Sequence, residues 1–296
     1  MKIGIIANTS KENVYKVVSE FVEKLRDNGF EYILSDDLLN NKDKLSTKVR
    51  KTDFADNNKL CKRSDIIISI GGDGTMLATA YYAQFYDKPV MGINFGKLGF
   101  LTGLNVNQVD TFIEDIKHNR YKIEKRLVIK GGCMGHKVEP LYAINDIVID
   151  KGGWPKMIEL TITVNDEYVT TFAADGLIIA TPTGSTGYSI SAGGPIVSPK
   201  SDVITLCPIS PHSLNVRPLV LPSNQKIIIR AESMHKEIHV NCDGRRVIAV
   251  PPPLKLCIEK SERPLKLVNT SLTSYFETLR SKLMWGIDIR KNNLKL

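Results

Sequence analysis

The sequence lacks the features that would assign it to a membrane-bound, secreted or disordered class of protein. The longest apolar runs, such as residues 65–70, fall well short of the roughly 20 residues that span a bilayer. Residues 3–7 form a short strand-like stretch after one lysine, without the longer apolar region of a signal peptide. No tract has low complexity, and 24% of the residues are charged. We therefore expect a globular protein of the cytoplasm with no membrane partner.

The cysteines also lack the spacing of a metal or disulfide framework. There are five, an odd number, widely spread and without a Cys-x-x-Cys pair, which predicts reduced side chains and no metal held by them. The net charge of +8 favours an anionic partner, either a nucleic acid or a small anion such as a nucleotide. The aromatic residues that single-strand binders interleave with their cations are missing, so we expect no nucleic acid.

The first part of the chain alternates strand-like and helix-like patterns. The predicted strands are residues 2–7, 32–34, 66–70 and 89–93, and the predicted helices are residues 12–27, 76–85 and 108–117. This βαβ order predicts an open, Rossmann-like, mostly parallel sheet covered by helices, as an α/β domain over residues 1–118.

From about residue 119 the pattern changes to short β-rich segments separated by turn signals. The predicted strands are residues 127–130, 142–150, 157–164, 168–172, 177–180, 203–208, 226–231 and 237–242. Strands at this spacing predict an all-β domain, a β-sandwich, over residues 119–270. Residues 271–283 are apolar at helical spacing, so the chain end, residues 271–296, is expected to return to the α/β domain.

A glycine loop, Gly71-Gly72-Asp73-Gly74-Thr75, stands between a predicted strand and a predicted helix. Its backbone N–H groups and the helix N-terminus favour phosphate binding, and Thr75 is predicted to cap the helix. A carboxylate beside phosphates is unfavourable unless it holds a metal ion or acts on a proton. Asp73 is therefore the predicted catalytic residue, although the loop alone is also compatible with an ordinary turn.

Two common nucleotide-binding motifs are missing. Residues 92–98 are one residue too short for a Walker A loop and lack the Ser or Thr after the lysine. The first predicted strand is followed by Asn8-Thr9-Ser10 and not by a Gly-x-Gly-x-x-Gly fingerprint. A P-loop enzyme and a standard Rossmann dehydrogenase are both disfavoured.

Polar residues in the β-rich part are candidates for a second substrate site. Asn145 and Asp146 lie inside a predicted strand, where burial is costly without hydrogen bonds, so they are expected to face a ligand such as the two hydroxyls of a ribose. The alternative is a satisfied pair at a strand end. Asp175 precedes an apolar run, and residues 181–191 are rich in hydroxyls, with the Tyr188 ring available to pack on a base. Both features are also compatible with ordinary turns.

The glycine loop resembles the signature of the superfamily of NAD kinases, diacylglycerol kinases and 6-phosphofructokinases. Further motifs follow in order: GINFGKLGFLT at 92–102, Asn145-Asp146, Asp175-Gly176-Leu177, TPTGSTGYS at 181–189, AGGP at 192–195, PISPHSL at 208–214 and Arg217-Pro218. Together they resemble bacterial and archaeal-type NAD kinases over nearly the whole chain.

The resemblance implies an NAD kinase that transfers the ATP γ-phosphate to the 2′-hydroxyl of the adenosine ribose of NAD, giving NADP. It implies ATP and NAD as ligands, Mg²⁺ or another divalent cation with ATP, and a homodimer or homotetramer. The phosphate loop would be Gly71, Gly72, Gly74 and Thr75, in the α/β domain, and the all-β domain would bind NAD. Another kinase of the superfamily, acting on a lipid or sugar, and a non-catalytic NAD-binding regulator are the alternatives.

The resemblance also implies a set of NAD-binding positions. They are Asp73, Gly74, Asn145, Asp146, Lys156, Ala173, Asp175, Thr186, Gly187, Tyr188, Ser189, Ile190, Ser191 and Arg245. Four of them depart from the commoner family pattern: Asp146 replaces glutamate, Ala173 replaces a basic residue of some relatives, Gly187 replaces alanine, and Arg245 replaces glutamine. Asp175 is expected to contact the nicotinamide side of NAD, and Lys156 and Arg245 to offset phosphate charge.

Overall fold

The computed structural model describes residues 1–94, 96, 99–270, 272 and 274–284, which belong to two compact units. The α/β unit comprises Met1–Lys125 and the chain from Lys266 onward, and the β unit comprises Arg126–Leu265. Within the described residues, no helix is both long and apolar enough to cross a membrane. The five cysteines are free, and four of them are buried.

The described ranges contain six α-helices and twenty strands, numbered in chain order. The helices are α1 (Val14–Asp27), α2 (Asn57–Arg63), α3 (Asp73–Phe85), α4 (Val109–Lys117), α5 (Tyr188–Ser191) and α6 (Tyr275–Leu283). The strands are β1 (Lys2–Ala7), β2 (Glu31–Ser35), β3 (Phe54–Ala55), β4 (Ile66–Ile70), β5 (Pro89–Asn94), β6 (Leu104–Asn105), β7 (Lys122–Arg126), β8 (Ile129–Met134), β9 (Leu141–Ala143), β10 (Asp146–Asp150), β11 (Ile158–Val164), β12 (Glu167–Ala174), β13 (Gly176–Ala180), β14 (Val203–Ile209), β15 (Leu219–Pro222), β16 (Ile227–Glu232), β17 (Ile238–Cys242), β18 (Arg246–Val250), β19 (Leu254–Lys260) and β20 (Leu265–Asn269). Short 3-10 helices cover Asp36–Lys44, Lys51–Asp53, Val106–Gln108 and Gly184–Thr186.

The α/β unit is built on one eight-stranded sheet. Its strand order is β3-β2-β1-β4-β5-β20-β7, and β6 also pairs with β5. The central strands β1, β4 and β5 run parallel and are almost entirely buried, because helices cover a parallel sheet on both faces. The amphipathic helices α1 and α4 bury their apolar sides against this sheet, in a core that includes Phe21 and Phe112.

The β unit consists of two six-stranded sheets. Their orders are β15-β14-β13-β10-β17-β18 and β12-β11-β16-β19-β8-β9, and the neighbouring strands are antiparallel. Strands such as β11 alternate buried and exposed residues, and the buried side chains of both sheets form one apolar core. The predicted fold class, a parallel α/β domain followed by an antiparallel β domain, is confirmed.

Several predicted elements differ in detail from the structure. The predicted strand 142–150 is interrupted at Ile144 and Asn145, so Asn145 and Asp146 lie at a strand start and not in mid-strand. Residues 184–191 form two short helical segments and not only a turn. The elements that were not predicted are α2, β3, β6, β7, β15, β18, β19 and β20. β20 brings the chain back to the parallel sheet before the predicted position. Ser271, Thr273 and residues 285–296 of the predicted returning segment lie outside the described residues, as do Phe95, Lys97 and Leu98 of the 92–102 motif.

Candidate active site

The glycine loop of the α/β unit joins a buried strand to a helix. β4 lies between β1 and β5, and the N–H of Gly71 donates to the carbonyl of Ile93 at 2.9 Å. Helix α3 begins at Asp73, with Gly72 as its N-cap residue. A glycine-lined helix N-terminus at the carboxyl end of a parallel strand attracts phosphate through its N–H groups and its dipole.

Thr75 does not cap α3, so this prediction is wrong. The N-cap residue, Gly72, has no side chain to accept a hydrogen bond, and Thr75 lies in the first helical turn. A Cβ placed on Gly71 would come within 2.7 Å of the Thr75 Cβ. Thr75 therefore packs against the loop backbone, and this packing requires glycine at position 71.

The Asp73 carboxylate is held by the segment that follows β5. Its Oδ2 accepts the N–H of Phe100 at 2.8 Å, and its Oδ1 accepts the N–H of Leu101 at 3.1 Å. The same Oδ1 accepts the N–H and the hydroxyl of Thr102, both at 3.2 Å. These four hydrogen bonds fix the carboxylate beside the glycine loop.

Gly99 makes this arrangement possible. A Cβ at this position would overlap Asp73 Oδ1 and would lie 2.5 Å from the Thr102 hydroxyl. The N–H of Gly99 itself donates to that hydroxyl at 2.9 Å. Residue 99 is thus glycine because the carboxylate occupies the space of a side chain.

In the β unit, Ile144 and Asn145 form the short link between β9 and β10. The N–H groups of Ile144, Asn145 and Asp146 all donate to the carboxylate of Asp243, at 3.0, 2.8 and 3.2 Å. Asp243 follows β17, the partner of β10, in a left-handed conformation with φ of 53°. It turns its side chain onto the three consecutive amides.

The carbonyl groups of the same link are also occupied. The Thr181 hydroxyl donates to the carbonyl of Ile144 at 2.5 Å, and the Thr181 N–H donates to the carbonyl of Asn145 at 2.8 Å. Gly184 packs directly on this link, since a Cβ there would lie 2.8 Å from the Asn145 Cα. The backbone of Asn145 is thereby fixed from two directions.

The side chains of Asn145 and Asp146 lie together. Gly187 is close to both, because a Cβ at this position would lie 3.7 Å from Asn145 Nδ2 and 3.9 Å from Asp146 Oδ2. Asn145 Oδ1 is buried and accepts no hydrogen bond from any described residue. A buried acceptor without a donor is costly, so this atom is suited to a hydroxyl of a bound ligand.

Asp146 has an unusual environment for a carboxyl group. Only 5% of the residue is exposed, and burial, followed by the charge of Asp243, raises its pKa to about 7. The carboxyl group therefore changes its protonation state near neutral pH, which is frequent at functional sites.

This raised pKa predicts a pH-dependent difference in stability between the wild type and Asp146→Asn. The Asp146 carboxyl group of the unfolded chain ionises at its ordinary pKa of 3.8, whereas the folded protein keeps the proton until about pH 7. Ionisation therefore stabilises the unfolded state progressively as the pH rises towards 7. Between pH 5 and pH 8, urea unfolding should show the wild type losing about 2–3 kcal/mol relative to Asp146→Asn. Parallel pH dependences of the two proteins would contradict this assignment.

Residues 186–191 follow this cluster as a 3-10 turn and the short helix α5. Tyr188 is 49% exposed, so its ring is accessible for packing on a base. Ser189 is fully buried, with Gly194 packed so closely that a Cβ there would lie 2.8 Å from the Ser189 carbonyl oxygen. The Thr186 hydroxyl donates to the Thr183 carbonyl at 3.4 Å. Ile190 is half-buried, and Ser191 is exposed.

Asp175 forms an ion pair that the sequence did not predict. Its Oδ1 lies 2.7 Å from Lys151 Nζ, and both side chains are about one-third exposed or less. The N–H of Lys151 donates to the Asp175 carbonyl at 3.0 Å, so the two residues are joined through backbone and side chain. A ligand that contacts Asp175 also meets the Lys151 ammonium group.

The remaining predicted positions are spread over the β unit. Lys156 is exposed in the turn before β11, and Ala173 lies on β12. In the described part of the chain, no hydrogen bond or ion pair joins either residue to Asn145 or Asp146. Arg245 is exposed in the turn between β17 and β18, two residues after Asp243.

The described residues do not offer a complete metal site. They contain no group of three or more His, Cys, Asp or Glu residues able to hold a metal ion. Both oxygens of Asp73 already accept hydrogen bonds.

Two family models match the chain. Residues 3–121 match the ATP-NAD kinase N-terminal domain, and residues 144–270 match the ATP-NAD kinase C-terminal domain. The chain belongs to the ATP-NAD kinase family. One curated relative, the NAD kinase of Prosthecochloris aestuarii, is 38% identical over 97% of this chain and 98% of its own length.

Two solved structures have the same fold as this chain. The NAD kinase of Archaeoglobus fulgidus in complex with ATP superposes with a TM-score of 0.73 at 27% identity, over 96% of this chain and 99% of that chain. Yeast NADH kinase complexed with NADH superposes with a TM-score of 0.89 at 23% identity, over 99% of this chain and 89% of that chain. The predicted NAD kinase family and its enzyme class, a phosphotransferase with an alcohol acceptor, are confirmed.

Three residues near the candidate site were missed as site residues from the sequence. Asp243 holds Asn145 and Asp146, Gly99 accommodates the Asp73 carboxylate, and Lys151 pairs with Asp175. The signal for Gly99 was present, since this glycine belongs to the family-like motif at 92–102. Asp243 and Lys151 both stand beside glycine in turns, a context in which aspartate and lysine are common.

Proposed function

We propose that this chain transfers the γ-phosphoryl group of ATP to the 2′-hydroxyl of the adenosine ribose of NAD. The observation that carries the proposal is the relationship to NAD kinases, which extends over both units and includes the glycine loop and the Asn145–Asp146 pair. The relative from Archaeoglobus fulgidus binds ATP, which supports ATP as the phosphoryl donor here.

The α/β unit is proposed to provide the phosphate-binding part of the site. The backbone of Gly71, Gly72, Gly74 and Thr75 would bind ATP phosphates at the start of α3, where the helix dipole favours negative charge. Asp73 would align the ribose hydroxyl and accept its proton during transfer. Phosphoryl transfer depends mainly on positioning and charge neutralisation, so we expect this proton role to contribute about 10²–10⁴-fold in rate.

The β unit is proposed to provide the NAD-binding part. Asn145 Oδ1 would accept a hydrogen bond from a ribose hydroxyl, and Asp146 would accept another when it is ionised. The exposed Tyr188 ring would pack on a base, beside Thr186, Gly187, Ser189, Ile190 and Ser191. Asp175, paired with Lys151, would contact the nicotinamide side. Lys156, Ala173 and Arg245 stay proposed contacts, in which the two cations offset phosphate charge.

Mg²⁺ or another divalent cation would enter with ATP and neutralise charge on its phosphates.

The homodimer or homotetramer and the cytoplasmic location are proposed from the family resemblance and the composition. Light scattering of the purified protein would test the oligomer.

The activity is tested by incubating the purified protein with Mg²⁺, ATP and NAD, and measuring NADP with an NADP-specific dehydrogenase. We expect NADP formation, and no phosphorylation of diacylglycerol or fructose 6-phosphate in parallel reactions. NAD binding without NADP formation would favour the non-catalytic regulator. Replacing NAD by NADH, or ATP by polyphosphate, defines the range of acceptors and donors.

A further inference from the structure

The contacts of Asp243 hold the backbone of the residues whose side chains are proposed to bind ribose. Asp243 is 8% exposed, and its carboxylate accepts hydrogen bonds from the N–H groups of Ile144, Asn145 and Asp146. The N–H of Asp243 in turn donates to the Asp146 carbonyl at 3.0 Å. The positions of the Asn145 and Asp146 side chains therefore depend on one buried carboxylate.

A neutral acceptor would satisfy some of these amides, but it would not reproduce the charge of Asp243. That charge lies beside Asp146, whose carboxyl group accepts no hydrogen bond from the described residues. Burial raises the pKa of the Asp243 carboxyl group, and its three N–H donors and the nearby positive charge of Arg246 oppose that rise. At Asp146, burial and the charge of Asp243 both raise the pKa, so a proton on the pair is favoured at Asp146.

The other titratable group packed against the pair is the Cys242 thiol. Burial and the charge of Asp243 raise its pKa to about 12, so it stays neutral near pH 7. Among the described residues, the charges that act on the pair include those of Asp243 and Arg246, together with that of Asp146 itself.

We propose that Asp243 is a positioning residue of the NAD kinase reaction, which fixes the backbone of Asn145 and Asp146 through three hydrogen bonds and places a negative charge beside the Asp146 carboxyl group. This inference rests on the proposed function. When Asp146 is protonated, one of its carboxyl oxygens carries the proton and is a poor acceptor for a ribose hydroxyl. When Asp146 is ionised, both of its carboxylate oxygens can accept a hydrogen bond from that hydroxyl. The kcat/KM for NAD should therefore rise with pH through the neutral range.

The first test is the pH profile of kcat/KM for NAD in Asp243→Asn. Asparagine keeps one acceptor oxygen and removes the negative charge, so the acid limb should move to lower pH by about one unit or more. The KM for ATP should change little. The matched control is Asp166→Asn, the same substitution at an exposed turn residue of the β unit that also has positive φ. An equal loss of rate at all pH values, with an unmoved limb, would show a purely structural role and overturn the proposal.

The second test does not depend on activity. In protein labelled at the aspartate carboxyl carbons, ¹³C NMR should show one signal that titrates near neutral pH, disappears in Asp146→Asn and moves to lower pH in Asp243→Asn. Persistence of that signal in Asp146→Asn would refute the assignment even if Asp243→Asn does not fold. A normal titration result combined with no NADP formation by the wild type would instead refute the proposed function and leave the electrostatic coupling intact.

Discussion

Replacing Asp73 with asparagine is expected to lower kcat for NADP formation by about 10²–10⁴-fold. The amide cannot take up the proton of the ribose hydroxyl. Its NH₂ group also cannot accept a hydrogen bond, so either the N–H of Phe100 or those of Leu101 and Thr102 lose their acceptor. Steady-state kinetics with ATP and NAD, together with direct measurement of NAD binding, would check this result.

Two controls separate the possible causes of that loss. Asp27→Asn changes an exposed carboxylate at the end of α1 and should leave kcat unchanged. Thr102→Val removes the hydroxyl that donates to Asp73 and accepts the N–H of Gly99, and we expect a loss of about 30-fold, in keeping with two hydrogen bonds of about 1 kcal/mol each. If Thr102→Val were as damaging as Asp73→Asn, Asp73 would be an anchor of the loop and not a proton acceptor.

The second large effect is expected for Gly99→Ala. The added methyl group would overlap the Asp73 carboxylate, so either the carboxylate or the 99–102 segment must move. Because a displacement of about 1 Å in a catalytic group commonly costs about 100-fold, kcat should fall by that order. The KM for NAD should change much less, since the residues proposed to bind NAD in the β unit are untouched.

Gly96→Ala is the matched control, because it adds the same methyl group to the same segment. A Cβ on Gly96 would lie 3.5 Å from Asn94 Oδ1, which is an ordinary contact. We therefore expect activity within about 3-fold of the wild type, as for other substitutions without a clash. Similar losses in both variants would mean that the segment tolerates no alanine at all, and the specific role of Gly99 would be wrong.

The parts of the fold that the sequence predicted are those with strong local patterns. Residues 66–70 are a continuous apolar run that ends at the glycine loop, and β4 occupies those positions. The amphipathic pattern of residues 12–27 predicted α1, which begins two residues later at Val14. Such elements are predictable because their apolar spacing is set by the geometry of one strand or one helix.

The missed features depend on contacts between distant parts of the chain. Asp243 and Asn145 are 98 residues apart, and nothing in the local sequence indicates that one holds the other. The interruption between β9 and β10 has the same origin, since the amides of Ile144 and Asn145 bond to that carboxylate. β20 was missed because its pairing with β5 joins segments far apart in sequence. Local patterns carry no information on such pairings.

The strand order of the parallel sheet has a consequence for the architecture of the chain. The chain leaves the α/β unit after β7 and re-enters it at β20, and these two strands are neighbours at one edge of the sheet. The β unit is thus an insertion between two adjacent strands, and every other strand pairing of the sheet is independent of it. The β unit is therefore one continuous segment, residues 126–265, and the natural unit for separate expression.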